Sequence, residues 1–145
     1  MNTRALPLFV PIGIFLLAYL VFWLQFPNIL STRVVGNLLT DNAYLGIVAV
    51  GMTLVILSGG IDLSVGSVIA FSGVFIAVLL RDTGLHPLAV FMLLLALTTA
   101  FGAGMGFLID RLAMPAFIVT LAGMFLARGA AYILSIDSVP IQHPF

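Results

Sequence analysis

Two ionisable side chains lie inside long apolar segments of this sequence. Asp62 belongs to the stretch Ser58–Ser67 (SGGIDLSVGS), with 20 uncharged residues before it (42–61) and 18 after it (63–80). Arg128 lies in another apolar segment, near residues 115–134. Because ionisable residues inside membrane-crossing segments commonly mark a substrate or ion pathway, a buried charge pair of Asp62 and Arg128 is one chemistry that this pattern allows.

A structural role explains Asp62 equally well. Its carboxylate can accept the backbone N–H of Ser64 or Val65 at a helix start, where the helix dipole favours a negative charge. Glycines ahead of it let the backbone turn without a Cβ penalty. The stretch is therefore a broken-helix motif at membrane depth or a tight turn at the membrane surface. The motif comprises Gly59, Gly60, Asp62 and Gly66.

Arg128 and several polar positions also have two interpretations. Arg128 can extend to the membrane surface or pair with Asp137, because long side chains near helix ends commonly do so. Hydroxyl, amide and aromatic side chains on the central helices could line a substrate pathway, since small-molecule sites combine hydrogen-bonding groups with apolar walls. Helix packing would account for each of them as well. These substrate-pathway candidates are Asn42, Thr53, Ser64, Ser67 and Phe71.

Membrane helices must position these residues. The 145 residues are 63% hydrophobic and 7% charged, with a mean hydropathy of +1.31, whereas soluble domains average about 25% charged residues. Long continuous apolar segments favour an all-α, polytopic helical bundle over a β-barrel. We expect a single transmembrane domain over 1–145, with five spans at 6–26, 42–57, 63–80, 88–109 and 115–134.

Small residues at helical spacing predict close helix packing. Gly102 and Gly106 form a GxxxG pair in the expected fourth span, and Gly123 belongs to a ridge of small residues in the fifth. Small side chains let two helix backbones approach closely in lipid. We therefore assign these three glycines to packing rather than to substrate contact.

Several function classes are excluded or disfavoured. The sequence has no cysteine, so a thiolate metal site or a cysteine nucleophile is excluded. It also has no lysine, so it lacks the P-loop motif GxxxxGK[ST], and any ATP would be hydrolysed by another polypeptide. His86 and His143 have no metal-binding partner at ligand spacing, and the net charge of zero offers nothing to nucleic acid. We therefore expect that this chain is not an enzyme and that it binds neither a cofactor nor a metal ion.

The motif SGGIDLSVGS, preceded by GIVAVGMTLVIL and followed by VIAFSGVF, resembles the permease subunits of bacterial ABC importers for monosaccharides. This is the ribose, xylose and galactose type, related to the branched-chain amino acid permeases. The likeness continues in DRLAMPAFIVTLAGMFLARGAAYIL and covers nearly the whole chain. The segment LLTDNAYLGIVAVGMT is most similar to the corresponding segment in the permease of the galactofuranose importer.

The resemblance implies a multi-pass protein of the bacterial inner membrane, with about ten helices in the full permease and a cytoplasmic amino terminus. It implies four partners: a second permease subunit, a cytoplasmic ATP-binding subunit, a periplasmic sugar-binding protein and a monosaccharide. The 145 residues would correspond to the amino-terminal half, which we expect to be a fragment of a longer permease.

Two other functions remain open from the residues. An ion-coupled secondary transporter would use the charges of Asp62 and Arg128. A structural membrane subunit would have no pathway at all. The arginine distribution does not fix the orientation, because Arg4 and Arg111 fall on one side of the expected spans and Arg33 and Arg81 on the other.

Overall fold

The computed structural model describes residues 6–141, and these residues form helices and connecting loops without a β-strand. The helices are α1 Leu6–Gln25, α2 Thr32–Asp41, α3 Ala43–Leu57, α4 Val65–Thr83, α5 Pro87–Asp110 and α6 Ala116–Leu134, with a short 3-10 helix at Pro27–Leu30. The all-α architecture expected from the composition is thus present. Arg4 and His143, considered from the sequence, lie outside the described residues.

The described helices group into two compact units, residues 6–47 and residues 48–141. In the first unit, the 3-10 helix packs against both α1 and α2, and an apolar cleft is lined by residues that include Tyr19, Phe22 and Leu38. Aromatic rings on α1 stack along the helix, with Phe15 and Tyr19 centroids 6.0 Å apart. The single transmembrane domain expected for 1–145 stays a prediction.

In the second unit, α4 packs most extensively against α6 and also against α5. A small apolar cluster fixes the α4–α5 contact and contains Phe75, Leu80, Val90 and Leu94. Gly84 ends α4 in the left-handed conformation, with φ +63°, and His86 then begins α5 by accepting the Leu88 N–H on Nδ1 at 3.2 Å. This histidine serves as a helix cap within the α4–α5 turn.

Among the residues that the structure describes, three helices have the length and apolar composition to cross a membrane by themselves: α4, α5 and α6. A fourth candidate arises if α2 and α3 form one span interrupted at Asn42. The 15 residues of α3 extend only about 22 Å at 1.5 Å per residue, less than a hydrocarbon core of about 30 Å. Helix α3 covers most of the expected second span at 42–57, which stays a prediction, and the segment before it forms α2.

Most apolar side chains in these helices are exposed within the chain. Ile133 of α6 is 88% exposed, and Leu57 at the end of α3 is 77% exposed. Water would penalise so much exposed apolar surface, whereas lipid or further protein would not. Among the described residues, the second unit buries few side chains. The site described next includes two of the buried ones, Ser64 and Thr120.

Candidate functional site

The chain leaves α3 through a glycine turn. Gly59 adopts a left-handed conformation with φ +75°. The Gly60 N–H donates to the Val55 carbonyl at 3.0 Å and the Gly59 N–H donates to the Ile56 carbonyl at 3.0 Å. This pair of bonds is a Schellman motif, which satisfies the last carbonyls of a helix and needs glycine at the left-handed position. The glycines therefore end α3 for a backbone reason.

Asp62 lies between the two helices and organises the start of α4. Its Oδ1 accepts the Ser64 backbone N–H at 2.7 Å and the Ser64 hydroxyl at 2.6 Å. Ser64 is only 1% exposed, so its polar atoms depend on this carboxylate. The expected cap of Asp62 on Ser64 is present, whereas Gly66 lies inside the first turn of α4 rather than in the break.

Helix α6 packs onto this break through two residues. The Thr120 hydroxyl donates to the Ile61 carbonyl at 3.2 Å and to the Ala116 carbonyl of its own helix at 2.8 Å. Gly123 lies one turn further along, close to Ser64: a Cβ on Gly123 would stand 3.6 Å from the Ser64 Cβ. The irregular backbone thus contacts α6 at Ile61 and Ser64.

Gly123 also lies against α5. A Cβ added there would overlap the Met105 sulfur and approach the Phe101 ring to 3.3 Å. By contrast, a Cβ on Gly102 or Gly106 would meet nothing within 4 Å among the described residues. The close helix approach in residues 6–141 therefore uses Gly123, and a packing role for the GxxxG pair stays a prediction.

The charge pair considered from the sequence does not form. Among residues 6–141, the salt bridges are Arg81 with Asp82, at 2.6 Å, and Arg111 with Asp110, at 3.8 Å. Asp62 instead bonds to Ser64, and Arg128 is exposed on α6. The pairing of Arg128 with Asp137 is also not formed, although both residues line one cleft between α4 and the end of α6.

The five substrate-pathway candidates are not gathered at one site. Ser64 is buried in the α4–α6 contact, Ser67 lines the cleft beside Arg128, and Phe71 lines a separate apolar cleft. Thr53 on α3 donates its hydroxyl to the Ala49 carbonyl of its own helix at 2.7 Å. Asn42 belongs to the first unit, where its amide donates to the Leu38 carbonyl at 2.8 Å. Substrate contact by these residues stays a prediction.

Thr120 is the residue whose role the sequence did not indicate. It lies in the ridge of small residues on α6, and a threonine in such a ridge is ordinary. Its bond to Ile61 joins residues 59 positions apart. No local pattern predicts such a contact.

In the part of the chain that the structure describes, His, Asp and other metal-ligating side chains form no group of three that could hold a metal ion.

Comparison with known proteins places this break in a family context. A family model described as "Branched-chain amino acid transport system / permease component" matches residues 34–139, which include the break and the helices around it. Among curated proteins, the chain is 62% identical over 144 residues to the inner membrane ABC transporter permease protein YjfF of Escherichia coli (strain K12). That match covers 99% of this chain and 44% of the relative.

Two further relatives carry transport names. The chain is 38% identical to the fructose import permease protein FruG of Bifidobacterium longum (strain NCC 2705), over 96% of this chain and 41% of that protein. It is 38% identical to the ribose import permease protein RbsC of Escherichia coli (strain K12), over 82% of this chain and 36% of that protein. The chain therefore spans less than half the length of these relatives. No solved structure matches it.

Proposed function

Because this chain belongs to the permease-component family of branched-chain amino acid transport systems, we propose that it forms part of the membrane pathway of an ATP-driven importer of monosaccharides. The observation that carries the proposal is the 62% identity to an ABC transporter permease over 99% of the chain. The relatives named for ribose, xylose and fructose support a sugar rather than an amino acid as the substrate.

The geometry of the break is compatible with this function. Several of its backbone groups are paired within the protein: the N–H groups of Gly59 and Gly60 in the Schellman motif, and the Ser64 N–H with the Asp62 carboxylate. Membrane-spanning structures tolerate an irregular segment where protein buries it or where it lines a cavity. Transporters use such broken helices near the pathway. We propose that Gly59, Gly60 and Asp62 keep this segment in shape while other residues contact the substrate.

We further propose the partners and the location. ATP would bind to a separate cytoplasmic subunit, since this sequence contains no lysine and therefore no P-loop. A second permease subunit would complete the pathway, and a periplasmic binding protein would deliver the sugar. The permease would be a multi-pass protein of the bacterial inner membrane with a cytoplasmic amino terminus.

An ion-coupled secondary transporter is not favoured. Such a transporter would need Asp62 or Arg128 as part of an ion path. The carboxylate of Asp62 is engaged by the N–H and hydroxyl of Ser64, and it has no basic partner within salt-bridge distance in residues 6–141. The two functions differ in their energy source, which is ATP for the importer and an ion gradient for the secondary transporter, and an experiment can separate them on that basis.

The test is sugar uptake by cells that carry the full-length permease together with its ATP-binding subunit and its binding protein. Labelled ribose, xylose, fructose and galactose are supplied one at a time, with leucine as the amino acid comparison. Uptake is measured with the membrane potential collapsed and ATP intact, and then with ATP depleted. We expect uptake of at least one sugar to survive the first treatment and to stop after the second.

Cells that lack only the permease provide the background. Loss of uptake when the membrane potential alone is collapsed would favour the ion-coupled transporter. Uptake of leucine without uptake of any sugar would instead retain ATP-driven import and reject the proposed substrate class.

A further inference from the structure

The cleft between α4 and the end of α6, in the second unit, combines polar and apolar lining residues. It has a volume of about 480 Å³ and lies one turn beyond the tight contact of Ser64 with Gly123. Small-molecule sites commonly measure about 300–1,000 Å³ and combine apolar walls with a few polar groups. The polar residues that line this cleft are Ser67, Arg128, Tyr132, Ser135, Asp137 and Ser138.

Helix geometry explains why these groups meet there. The contacts of Ile61 with Thr120 and of Ser64 with Gly123 make α4 and α6 run in the same direction. Ser67, three residues after Ser64, and Arg128, five residues after Gly123, therefore line the same cleft. Tyr132 follows Arg128 by four residues and shares its face of the helix.

The turn after α6 supplies the acidic group. The Ser135 hydroxyl donates to the Asp137 carbonyl at 2.9 Å, which bends the chain back as it leaves α6. Asp137 consequently lines the same cleft as Arg128. One cleft thus holds a permanent donor and a carboxylate acceptor, with the serine and tyrosine hydroxyls able to do either.

Arg128 and Asp137, the two charged residues of this cleft, do not form a salt bridge with each other. Arg81 donates to Asp82 from two nitrogens, at 2.6 and 3.0 Å, whereas Arg128 has no carboxylate within 4 Å in residues 6–141. The guanidinium of Arg128 therefore offers its fork of N–H groups to a ligand. The neighbouring clefts differ from this one, because the two formed by α5 and its neighbours are lined almost entirely by apolar side chains.

We propose that the cleft between α4 and α6, defined by Ser67, Arg128, Tyr132 and Asp137, binds the hydroxyl groups of a neutral monosaccharide along the transport pathway. A neutral polyol suits the pair of charges, because Arg128 donates to one hydroxyl oxygen and Asp137 accepts from another. An anionic ligand would be attracted by Arg128 but repelled by Asp137. This inference rests on the proposed function.

Cysteine protection tests the location directly. The 145 residues contain no cysteine, so Ser67→Cys introduces one thiol into the full-length permease once any cysteine outside them is replaced. We expect labelling of this thiol by a small water-soluble maleimide, in the assembled importer, to slow about tenfold under a saturating concentration of the transported sugar. Ser72→Cys is the matched control, because Ser72 lies on α4 outside this cleft and its labelling should not depend on sugar.

Transport by charge variants tests the contacts. Arg128→Met removes the guanidinium donor, and Asp137→Asn removes the carboxylate charge and replaces one acceptor oxygen by an NH2 donor, so we expect the maximal uptake rate to fall about tenfold at unchanged protein level. Arg33→Met, which removes an arginine of α2 that does not line the cleft, should leave uptake unchanged.

The outcomes separate this inference from the proposed function. If the wild-type importer takes up none of the sugars, the proposed function is wrong. If it takes one up while labelling of Ser67→Cys ignores that sugar, the importer stands and the cleft assignment is overturned. Full uptake by both Arg128→Met and Asp137→Asn would overturn it as well. Should either charge variant fail to assemble, the labelling result decides.

Discussion

The Thr120 hydroxyl of α6 donates to the backbone carbonyl of Ile61, in the break between α3 and α4, at 3.2 Å. Thr120 is 4% exposed, so this bond lies in the packed interior of the second unit. Ile61 belongs to neither α3 nor α4, so its carbonyl has no place in the regular backbone hydrogen bonds of either helix, and the Thr120 hydroxyl satisfies it instead. The bond thereby couples the position of α6 to the shape of the break.

Removal of this hydroxyl should loosen the break. Thr120→Val keeps the side-chain shape but leaves the Ile61 carbonyl without this donor, so we expect a loss of about 1 kcal/mol in the free energy of unfolding. The measurement is a denaturant titration of the full-length permease in mixed micelles. Thr120→Ser, which keeps the donor, should retain more stability than Thr120→Val. Equal losses in the two variants would show that the methyl group matters and the hydrogen bond does not.

The carboxylate of Asp62 should matter first as a hydrogen-bond acceptor. Asp62→Asn keeps one acceptor oxygen for the Ser64 N–H, whereas Asp62→Ala keeps none. We expect Asp62→Ala to lower the stability by about 1–2 kcal/mol, as for the loss of a helix cap, and Asp62→Asn to lower it less. Thermal unfolding of the purified full-length permease compares the two.

Sugar uptake by the Asp62→Asn variant then isolates the charge. We expect uptake close to wild type once it is normalised to the amount of permease in the membrane, because the structure gives this charge no basic partner in residues 6–141. A severe loss of uptake at normal protein level would contradict a purely architectural role for Asp62.

The left-handed conformation of Gly59 should resist substitution. Gly59→Ala places a Cβ in a backbone conformation with φ +75°, which costs about 1–2 kcal/mol. Gly51→Ala is the matched control: Gly51 lies within α3, and a Cβ there would meet no atom within 4 Å. The yield of folded protein on gel filtration should fall for Gly59→Ala and hold for Gly51→Ala.

The tight contact at Gly123 should be relieved by a second substitution. Gly123→Ala overlaps the Met105 sulfur, and such overpacking costs about 1–3 kcal/mol. Gly123→Ala combined with Met105→Ala should recover part of that stability, because the obstructing side chain is gone. Gly129→Ala, on the same helix with open space around it, serves as the control.

The test of this prediction is whether the stability losses of Gly123→Ala and Met105→Ala add up in the double variant. If the double variant loses the sum of the two single losses, Gly123 and Met105 are not in contact in the membrane-embedded protein. A double variant more stable than Gly123→Ala alone confirms the packing of α5 on α6.

The long helices of the second unit were predictable because their signals are local. The expected third, fourth and fifth spans agree with α4, α5 and α6 to within three residues at either end. Uninterrupted apolar sequence and the polar turns RDTGLHP and DRLAMP mark their bounds. No uninterrupted apolar sequence marks α2, because it contains Arg33, Asn37 and Asp41 and its polarity resembles that of a loop.

Spacing alone did not show which of the three glycines lies against a neighbouring helix. Gly102 and Gly106 have the familiar GxxxG pattern, yet both face open space in residues 6–141. Gly123 has no such motif and lies against Ser64 and Met105. A pattern along one helix states which residues share a face, but it does not state which face meets a neighbour.

The sequence by itself determined that the chain is helical and membrane-embedded, that helices α3 and α4 are separated at Gly59 and Gly60, and that Asp62 caps the second of them. These features depend on composition and on bonds between residues a few positions apart. Only the tertiary structure decided that α6 closes over the break through Thr120, and that Asp62 and Arg128 do not form a pair. Contacts between residues about 60 positions apart depend on how helices pack, and packing is a property of surfaces that no single stretch of sequence contains.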